Sequence, residues 1–115
     1  MYIFRKSKEA KPYGQSKTAD RGNCRRGPGG PACPVKNPEL GFQEFKAMGF
    51  ISDTLEKHGF TVQRGYGGLE TSFRADLCGS GEGPTVAFLA EYDALNGIGH
   101  GCGHNLIATC SVGAF

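Results

Sequence analysis

The sequence predicts an α/β protein, a small sheet with flanking helices, preceded by a disordered arm. A helix is predicted from apolar residues that recur at three- and four-residue steps between residues 42 and 55. One strand is predicted from alternating apolar and polar residues over 71–77, and another from the apolar run at 86–90. In a layered α/β sheet of this kind, ligands bind at the carboxyl ends of strands. The glycine-rich loop that follows residue 90 occupies that place.

Residues 1–36 differ in composition from the rest of the 115-residue chain. They carry nine Lys or Arg and two acidic residues, a net charge of 9 − 2 = +7, so residues 37–115 carry 2 − 7 = −5. After Ile3 the segment has few aliphatic side chains and many Gly and Pro, a composition that cannot repay the entropy lost on folding. We therefore expect a disordered basic arm at 1–36 and a folded domain at 37–115.

The folded part can be divided into elements. The first helix is expected to begin near Pro38, with Asn37 as its cap, and to end at His58-Gly59. Strand 71–77 is placed at an edge or an open face, because only one of its faces is apolar. Strand 86–90 is apolar on both faces and is placed in the middle of the sheet. Residues 106–115 are expected to form a buried helix.

The cysteines and the apolar runs indicate the cellular compartment of the protein. Five cysteines at irregular spacing indicate reduced thiols and not a disulfide framework. No apolar run reaches the roughly 18 residues of a membrane span, and residues 1–11 lack the apolar centre of a secretion signal. We expect a soluble cytoplasmic protein without a membrane partner.

One cluster carries metal-binding side chains. His100, Cys102 and His104 place two imidazoles and a thiol within five residues, and alternate glycines let the backbone fold closely around them. Thiolate and imidazole are the usual ligands of zinc and related ions. Spacing alone leaves open a glycine-rich turn with a buried Cys and hydrogen-bonded histidines. A phosphate-binding loop is disfavoured, because no Lys follows the glycines at the required spacing.

Three segments resemble the amidohydrolase branch of metallopeptidase family twenty, which includes aminoacylases, carboxypeptidases and dipeptidases. They are residues 37–45 (Asn-Pro-Glu-Leu-Gly-Phe-Gln-Glu-Phe), 90–95 (Ala-Glu-Tyr-Asp-Ala-Leu) and 97–108 (Gly-Ile-Gly-His-Gly-Cys-Gly-His-Asn-Leu-Ile-Ala). Within the branch the likeness is greatest to a group associated with dipeptides such as β-alanyl-lysine. The resemblance implies that residues 37–115 are the first part of a three-layer, zinc-peptidase-like catalytic domain.

The resemblance also implies roles for individual residues. Cys102 and His104 match metal ligands of this branch. Asp93 matches an acid that orients a metal ligand by a hydrogen bond and does not itself bind the metal. For Asp93 a turn carboxylate is the alternative interpretation. His100 is a further metal-ligand candidate, with a hydrogen bond to the backbone as its other interpretation. Glu91 stands where other branches have a metal-binding His, and it is not assigned as a ligand.

Cofactor, substrate and activity follow from the same resemblance. It implies two divalent ions per site, zinc or manganese, a dipeptide or N-acyl amino acid substrate, and homo-oligomeric full-length relatives. The family's general base and its other metal ligands match positions after Phe115, so we expect the 115-residue chain to be inactive. Asn96 and Gly101 stand where the family usually has Pro and Ala, so this loop should cost more entropy to order.

Two functions from other classes compete with this one. The first is a non-catalytic fragment whose basic arm binds nucleic acid or another polyanion through counterion release. The arm carries no recognisable nucleic-acid motif, so its composition favours a solvated tail over a nucleic-acid partner. The second is a structural zinc module in which Cys24 and Cys33 join Cys102 and His104. The eight intervening residues in a Pro- and Gly-rich arm disfavour it.

Overall fold

The computed structural model describes residues 2–6, 37–79 and 83–114. The described strands and helices, in chain order, are β1 (Tyr2–Lys6), α1 (Phe45–Lys57), β2 (Thr61–Arg64), β3 (Phe73–Cys78), β4 (Thr85–Leu89) and α2 (His104–Gly113). A short 3-10 turn at Tyr66–Gly68 joins β2 to β3. The predicted α/β class, a sheet with flanking helices, is confirmed. Among these residues no helix is both long and apolar enough to cross a bilayer.

The four described strands form one mixed sheet in the order β2-β3-β1-β4. β2 is antiparallel to β3, and β1 runs parallel to β3 and antiparallel to β4. In this register Ile3 lies opposite Ala75 of β3 and Phe88 of β4. The amino-terminal strand therefore joins the β2-β3 hairpin to β4.

The structure differs from the sequence prediction at the start of the arm. Tyr2–Lys6 form β1, whereas all of 1–36 was expected to be disordered. The physical reason is local, because Tyr, Ile and Phe favour a pleated strand while the charge and glycine content come from the residues after them. The rest of the arm, including Cys24 and Cys33, lies outside the described residues.

The predicted placement of one strand, β4, is wrong. β4 was expected in the middle of the sheet, but β1 lies between β3 and β4, so β4 forms one edge of the described sheet. Leu89 in β4 is accordingly 61% exposed. β3 is internal, so of its two predicted placements, an edge or an open face, the open face is the one observed. Its alternation is as predicted: Phe73 and Ala75 are buried, while Arg74 on the open face is half-buried.

The first helix begins later than predicted. It starts at Phe45, not near Pro38, and a turn closed by the bond from Gln43 N to Leu40 O precedes it. Glu39 still serves the helix from outside, because its carboxylate accepts hydrogen bonds from the free N–H groups of Lys46 (3.2 Å) and Ala47 (2.8 Å). An anion also suits the positive end of the helix dipole. The predicted end is confirmed, with His58 as the cap.

One hydrophobic core joins the two helices to the sheet. The apolar stripe predicted for α1 is buried only in part, since Phe42 and Phe45 are exposed while Ile51 and Leu55 are buried. The buried members of the core are Ala47, Ile51, Leu55, Phe60, Phe73, Ala75, Ala90, Tyr92 and Ala108. Most of this surface comes from α1, β3 and the segment after β4. The helix predicted to be buried at 106–115 contributes only Ala108, and Leu106 and Ile107 are exposed.

Arg64 of β2 ties the sheet to α1. Its guanidinium donates to Ser52 Oγ (3.0 Å), Glu56 Oε1 (2.6 Å) and Asp53 Oδ1 (2.7 Å), all on one side of the helix. The hydrogen bond to Arg64 holds the pKa of the Glu56 carboxyl below its usual value. Ser52 is fully buried, and its hydroxyl bonds back to the carbonyl of Met48. This polar contact fixes β2 against the helix that the core packs on.

We predict that Glu39→Ala destabilises the fold by about 0.5–2 kcal/mol, the range for loss of a helix amino-terminal cap. Two amide N–H groups of α1 lose their acceptor in this variant. Urea unfolding followed by circular dichroism measures the change. The matched control is Glu70→Ala, which removes an exposed carboxylate from a turn and should leave the midpoint unchanged. Equal stability of the two variants would show that Glu39 does not cap the helix.

Candidate functional site

The loop that follows β4 is held by the segment that precedes α1. Ala94 N donates to the carbonyl oxygen of Glu39 (2.7 Å), and Leu40 and Ala94 form a parallel bridge. A tight turn then closes between Leu95 N and Gly99 O (2.8 Å). Gly99 has a φ of 70°, a conformation that side-chain-bearing residues rarely adopt. Backbone hydrogen bonds therefore hold the first two turns of the loop in place.

Tyr92 anchors the start of this loop in the core. Its hydroxyl donates to the carbonyl oxygen of Thr71, and its ring stacks on Phe73 with centroids 6.1 Å apart. Burial, together with the nearby Glu44 carboxylate, raises the pKa of the Tyr92 phenol well above its usual value, so the hydroxyl stays a donor. Because Tyr92 is anchored, the backbone of its neighbours Glu91 and Asp93 is held in place as well.

His104 lies between these two carboxylates. Gly103 precedes it with a φ of 81°, which ends the loop and makes His104 the first residue of α2. The imidazole Nδ1 is 2.6 Å from Asp93 Oδ1, and Nε2 is 3.1 Å from Glu91 Oε2. The side chains of His104 and Asp93 are 24% and 30% exposed, and that of Glu91 is 64% exposed. The structure therefore brings the predicted pair Asp93 and His104 together.

The other two predicted residues have different surroundings. Cys102 lies in the turn just before α2 and is exposed, while His100 is half-buried with its Nδ1 atom shielded from solvent. In the described part of the chain no three His, Cys, Asp or Glu side chains converge closely enough to hold a metal ion by themselves. The ligand roles of Cys102 and His104, and the candidacy of His100, stay predictions.

An open cleft of about 170 Å³ lies beside the His104 contacts. Its lining residues are Phe42, Glu44, Leu69, Thr71, Ser72, Ala90, Glu91, Tyr92 and Asp93. Glu44 is buried just before α1, and its Oε1 lies near Gly41, as does Asp93 Oδ2. Three carboxylates on one cleft make it a favourable place for a cation. Phe42 at its rim has a φ of 65°, which is strained for a phenylalanine.

The donor set beside this cleft suits a divalent metal ion. A ligating histidine ordinarily donates its other ring N–H to a carboxylate, which fixes the tautomer and the ring orientation. Asp93 at Nδ1 of His104 is such a partner and leaves Nε2 toward the cleft side, where Glu91 lies. The exposed thiol of Cys102 is two residues away in sequence. These residues fit zinc or manganese, although by themselves they form an incomplete site.

Sequence reasoning did not assign a role to Glu91. A signal for it exists, because Glu91 and Asp93 flank a buried aromatic residue, and alternate residues of an extended segment point to the same side. That pattern places both carboxylates together, on the side opposite Tyr92. It could not show that a histidine eleven residues after Asp93 would return to lie between them.

The chain is similar to several characterised hydrolases. It is 38% identical over 95 residues to one of the subunits of p-aminobenzoyl-glutamate hydrolase of Escherichia coli and 44% identical over 86 residues to Xaa-Arg dipeptidase of Mus musculus. It is 33% identical over 91 residues to N-acetyl-L-cysteine deacetylase of Bacillus subtilis. The matches cover 67–68% of this chain and 19–21% of these relatives, so the chain spans about a fifth of their length. No protein-family model and no solved structure matches it significantly.

We predict that the effect of Gly101→Ala depends on Ile98. A Cβ at position 101 would lie 2.5 Å from Ile98 Cγ2, so alanine should destabilise the otherwise unchanged chain by about 1 kcal/mol through crowding. In an Ile98→Ala background the clash is gone, and Gly101→Ala should stabilise by about 0.4–1 kcal/mol, because it restricts the unfolded chain. Urea unfolding of the four proteins measures both effects. The same sign in both backgrounds would refute this explanation of the glycine.

Proposed function

We propose that residues 37–115 form part of a metal-dependent amide-hydrolase site. The premise is that about two thirds of this chain belongs by homology to the amidohydrolases and dipeptidases of metallopeptidase family twenty. The observation that carries the proposal is the 2.6 Å contact between His104 Nδ1 and Asp93 Oδ1. It is the contact expected of a histidine prepared to hold a metal ion through its other nitrogen.

Each residue of the site has a distinct part in this proposal. His104 and Cys102 are ligands, one offering a ring nitrogen at the start of α2 and the other a thiolate in the turn before it. Asp93 is a positioning residue, since it holds the His104 ring by one carboxylate oxygen. Tyr92 fixes Asp93 in turn, because its buried ring and its bond to Thr71 keep the segment in place.

The metal ions supply the chemistry that side chains of this chain do not. When bound, divalent ions polarise an amide carbonyl and activate a water molecule for attack. The chain's own residues hold the ions, orient the His104 ring and shape the acidic cleft beside it. The cleft is open to solvent on the Glu91 side, which gives an ion or a substrate a route of access.

The substrate class is proposed from the relatives. Their names denote hydrolysis of an aminobenzoyl-glutamate, of an Xaa-Arg dipeptide and of an N-acetyl-cysteine, all of which join an acyl group to an amino acid through an amide bond. We infer that a protein containing this segment acts on dipeptides or N-acyl amino acids. A cytoplasmic location, a homo-oligomeric state and the alternative of a polyanion-binding arm also stay predictions.

We predict that the 115-residue chain binds zinc, manganese or cobalt but releases no amino acid from β-alanyl-lysine or from a panel of N-acyl amino acids. Two-metal hydrolysis needs ions about 3.5–4 Å apart, and the described residues contain no group of three ligands to hold even one of them rigidly. Calorimetric titration measures binding, and an amine assay measures turnover.

The variants Cys102→Ser and His104→Ala should each weaken metal binding by at least about tenfold, as loss of a direct ligand should exceed the 10–100-fold cost of losing a supporting residue. Unchanged metal affinity in both variants would refute the proposed metal site. Turnover that disappears with a chelator and with Cys102→Ala would show that the chain is already a complete enzyme.

A further inference from the structure

Glu44 is a buried carboxylate to which the fold supplies no donor. It is only 8% exposed, and it lines the open cleft together with Asp93. Among the residues that the structure describes, no N–H or O–H group donates to the Glu44 carboxylate and no Lys or Arg pairs with it. The nearby Tyr92 hydroxyl is occupied, because it donates to the carbonyl oxygen of Thr71. Buried carboxylates are ordinarily hydrogen-bonded or paired, so this one is available to a donor that enters the cleft.

A second carboxylate oxygen borders the same space. Asp93 uses Oδ1 for its contact with His104, and within the described ranges no donor is bonded to its Oδ2. A Cβ on Gly41 would lie 3.9 Å from Asp93 Oδ2 and 4.0 Å from Glu44 Oε1, and glycine leaves that position empty. The cleft therefore presents single oxygens from two different side chains to one small space above Gly41.

The rim of the cleft is apolar. Phe42 and Leu69 line it and are 75% and 49% exposed. An aromatic ring attracts a cation to its face, and both side chains lose exposed apolar surface when alkyl carbons cover them. The cleft therefore matches a ligand that has a cationic end and an alkyl portion.

The arrangement of the oxygens favours a primary ammonium group over two other cations. An ammonium group has three N–H donors that can point to separate acceptors, whereas a guanidinium group fits both oxygens of one carboxylate. Asp93 cannot offer both of its oxygens, since Oδ1 is engaged by His104. A metal ion in the cleft is disfavoured, because in the described part of the chain no three His, Cys, Asp or Glu side chains converge to hold one.

We propose that the cleft is a binding subsite for a primary ammonium group on a short alkyl chain. Glu44 Oε1 and Asp93 Oδ2 accept its N–H groups, and Phe42 and Leu69 contact the alkyl carbons. The subsite needs no metal ion, so it goes beyond the proposed function and does not depend on it. Such a group can come from the amino end of a peptide or from a lysine-like alkylamine.

The test is a nuclear magnetic resonance titration of the nitrogen-labelled, full 115-residue chain, at constant ionic strength and with a chelator present. Glycinamide is the probe for a peptide amino end, n-butylammonium is the probe for an alkylamine, and n-butanol is the neutral counterpart of the second probe. We expect saturable shifts of the Gly41, Phe42 and Thr71 amide signals with an ammonium probe and none with n-butanol. The probe that binds more tightly identifies the source of the group.

Glu44→Gln keeps the shape of the side chain and removes its charge. It should weaken binding of the ammonium probe by at least about tenfold, because a charge-assisted hydrogen bond becomes a neutral one. Asp53→Asn is the matched control, since it removes a carboxylate that is 61% exposed and lies outside the cleft, and it should bind the probe as the unchanged chain does. Circular dichroism verifies that each variant is folded.

Gly41→Ala decides the question if Glu44→Gln does not fold. Its methyl group would have no neighbour closer than 3.9 Å, so the fold should tolerate it, but it would occupy the space beside both oxygens and should weaken binding of the probe. Unchanged affinity in a folded Glu44→Gln variant, or in Gly41→Ala where that variant does not fold, would overturn the proposal. So would the lack of a saturable shift with either ammonium probe, which would show that water alone satisfies Glu44. These outcomes do not affect the proposed metal site, because the chelator removes metal ions and the proposed ligands are unchanged.

Discussion

The rest of the site depends on hydrogen bonds that Glu39 accepts through both its side chain and its backbone. Its carboxylate accepts from the first N–H groups of α1, and its carbonyl oxygen accepts from Ala94 in the loop after β4. One residue therefore sets the helix and the loop relative to each other. Since α1 carries much of the core and the loop leads to His104, the burial of apolar surface and the position of the site are coupled through this segment.

The chemistry of the site follows from how one aromatic residue is buried. Tyr92 fills the core between β3 and the loop, and its fixed position aims the neighbouring carboxylates at one imidazole. The sheet contributes this anchor, α2 contributes the histidine, and glycines with left-handed backbones supply the turns between them. A side chain with no part in metal chemistry thus decides where the proposed metal-binding groups lie.

Some of this organisation could be predicted from sequence and some could not. Local patterns predicted the α1 stripe near Ile51, the alternation of β3 and the end of α1 at His58, because each depends on neighbours in the chain. The resemblance pointed to Asp93 and His104, which the structure brings into contact. The rest depends on contacts between residues distant in sequence: Glu39 caps α1 from outside the helix, and Tyr2–Lys6 lie between β3 and β4, which leaves β4 at an edge of the described sheet.

The uneven burial of the sheet has a consequence for how the molecule opens. α1 and β3 contain the fully buried side chains, and Arg64 binds β2 to α1, whereas Leu89 in β4 and Leu106 and Ile107 in α2 remain exposed. Native proteins open first where few apolar contacts hold a segment, so amide exchange should be fastest in α2 and slowest in α1. His104 lies at the start of α2, beside the loop that leads back to the core. An ion bound there would link α2, which opens easily, to the more stable part of the fold.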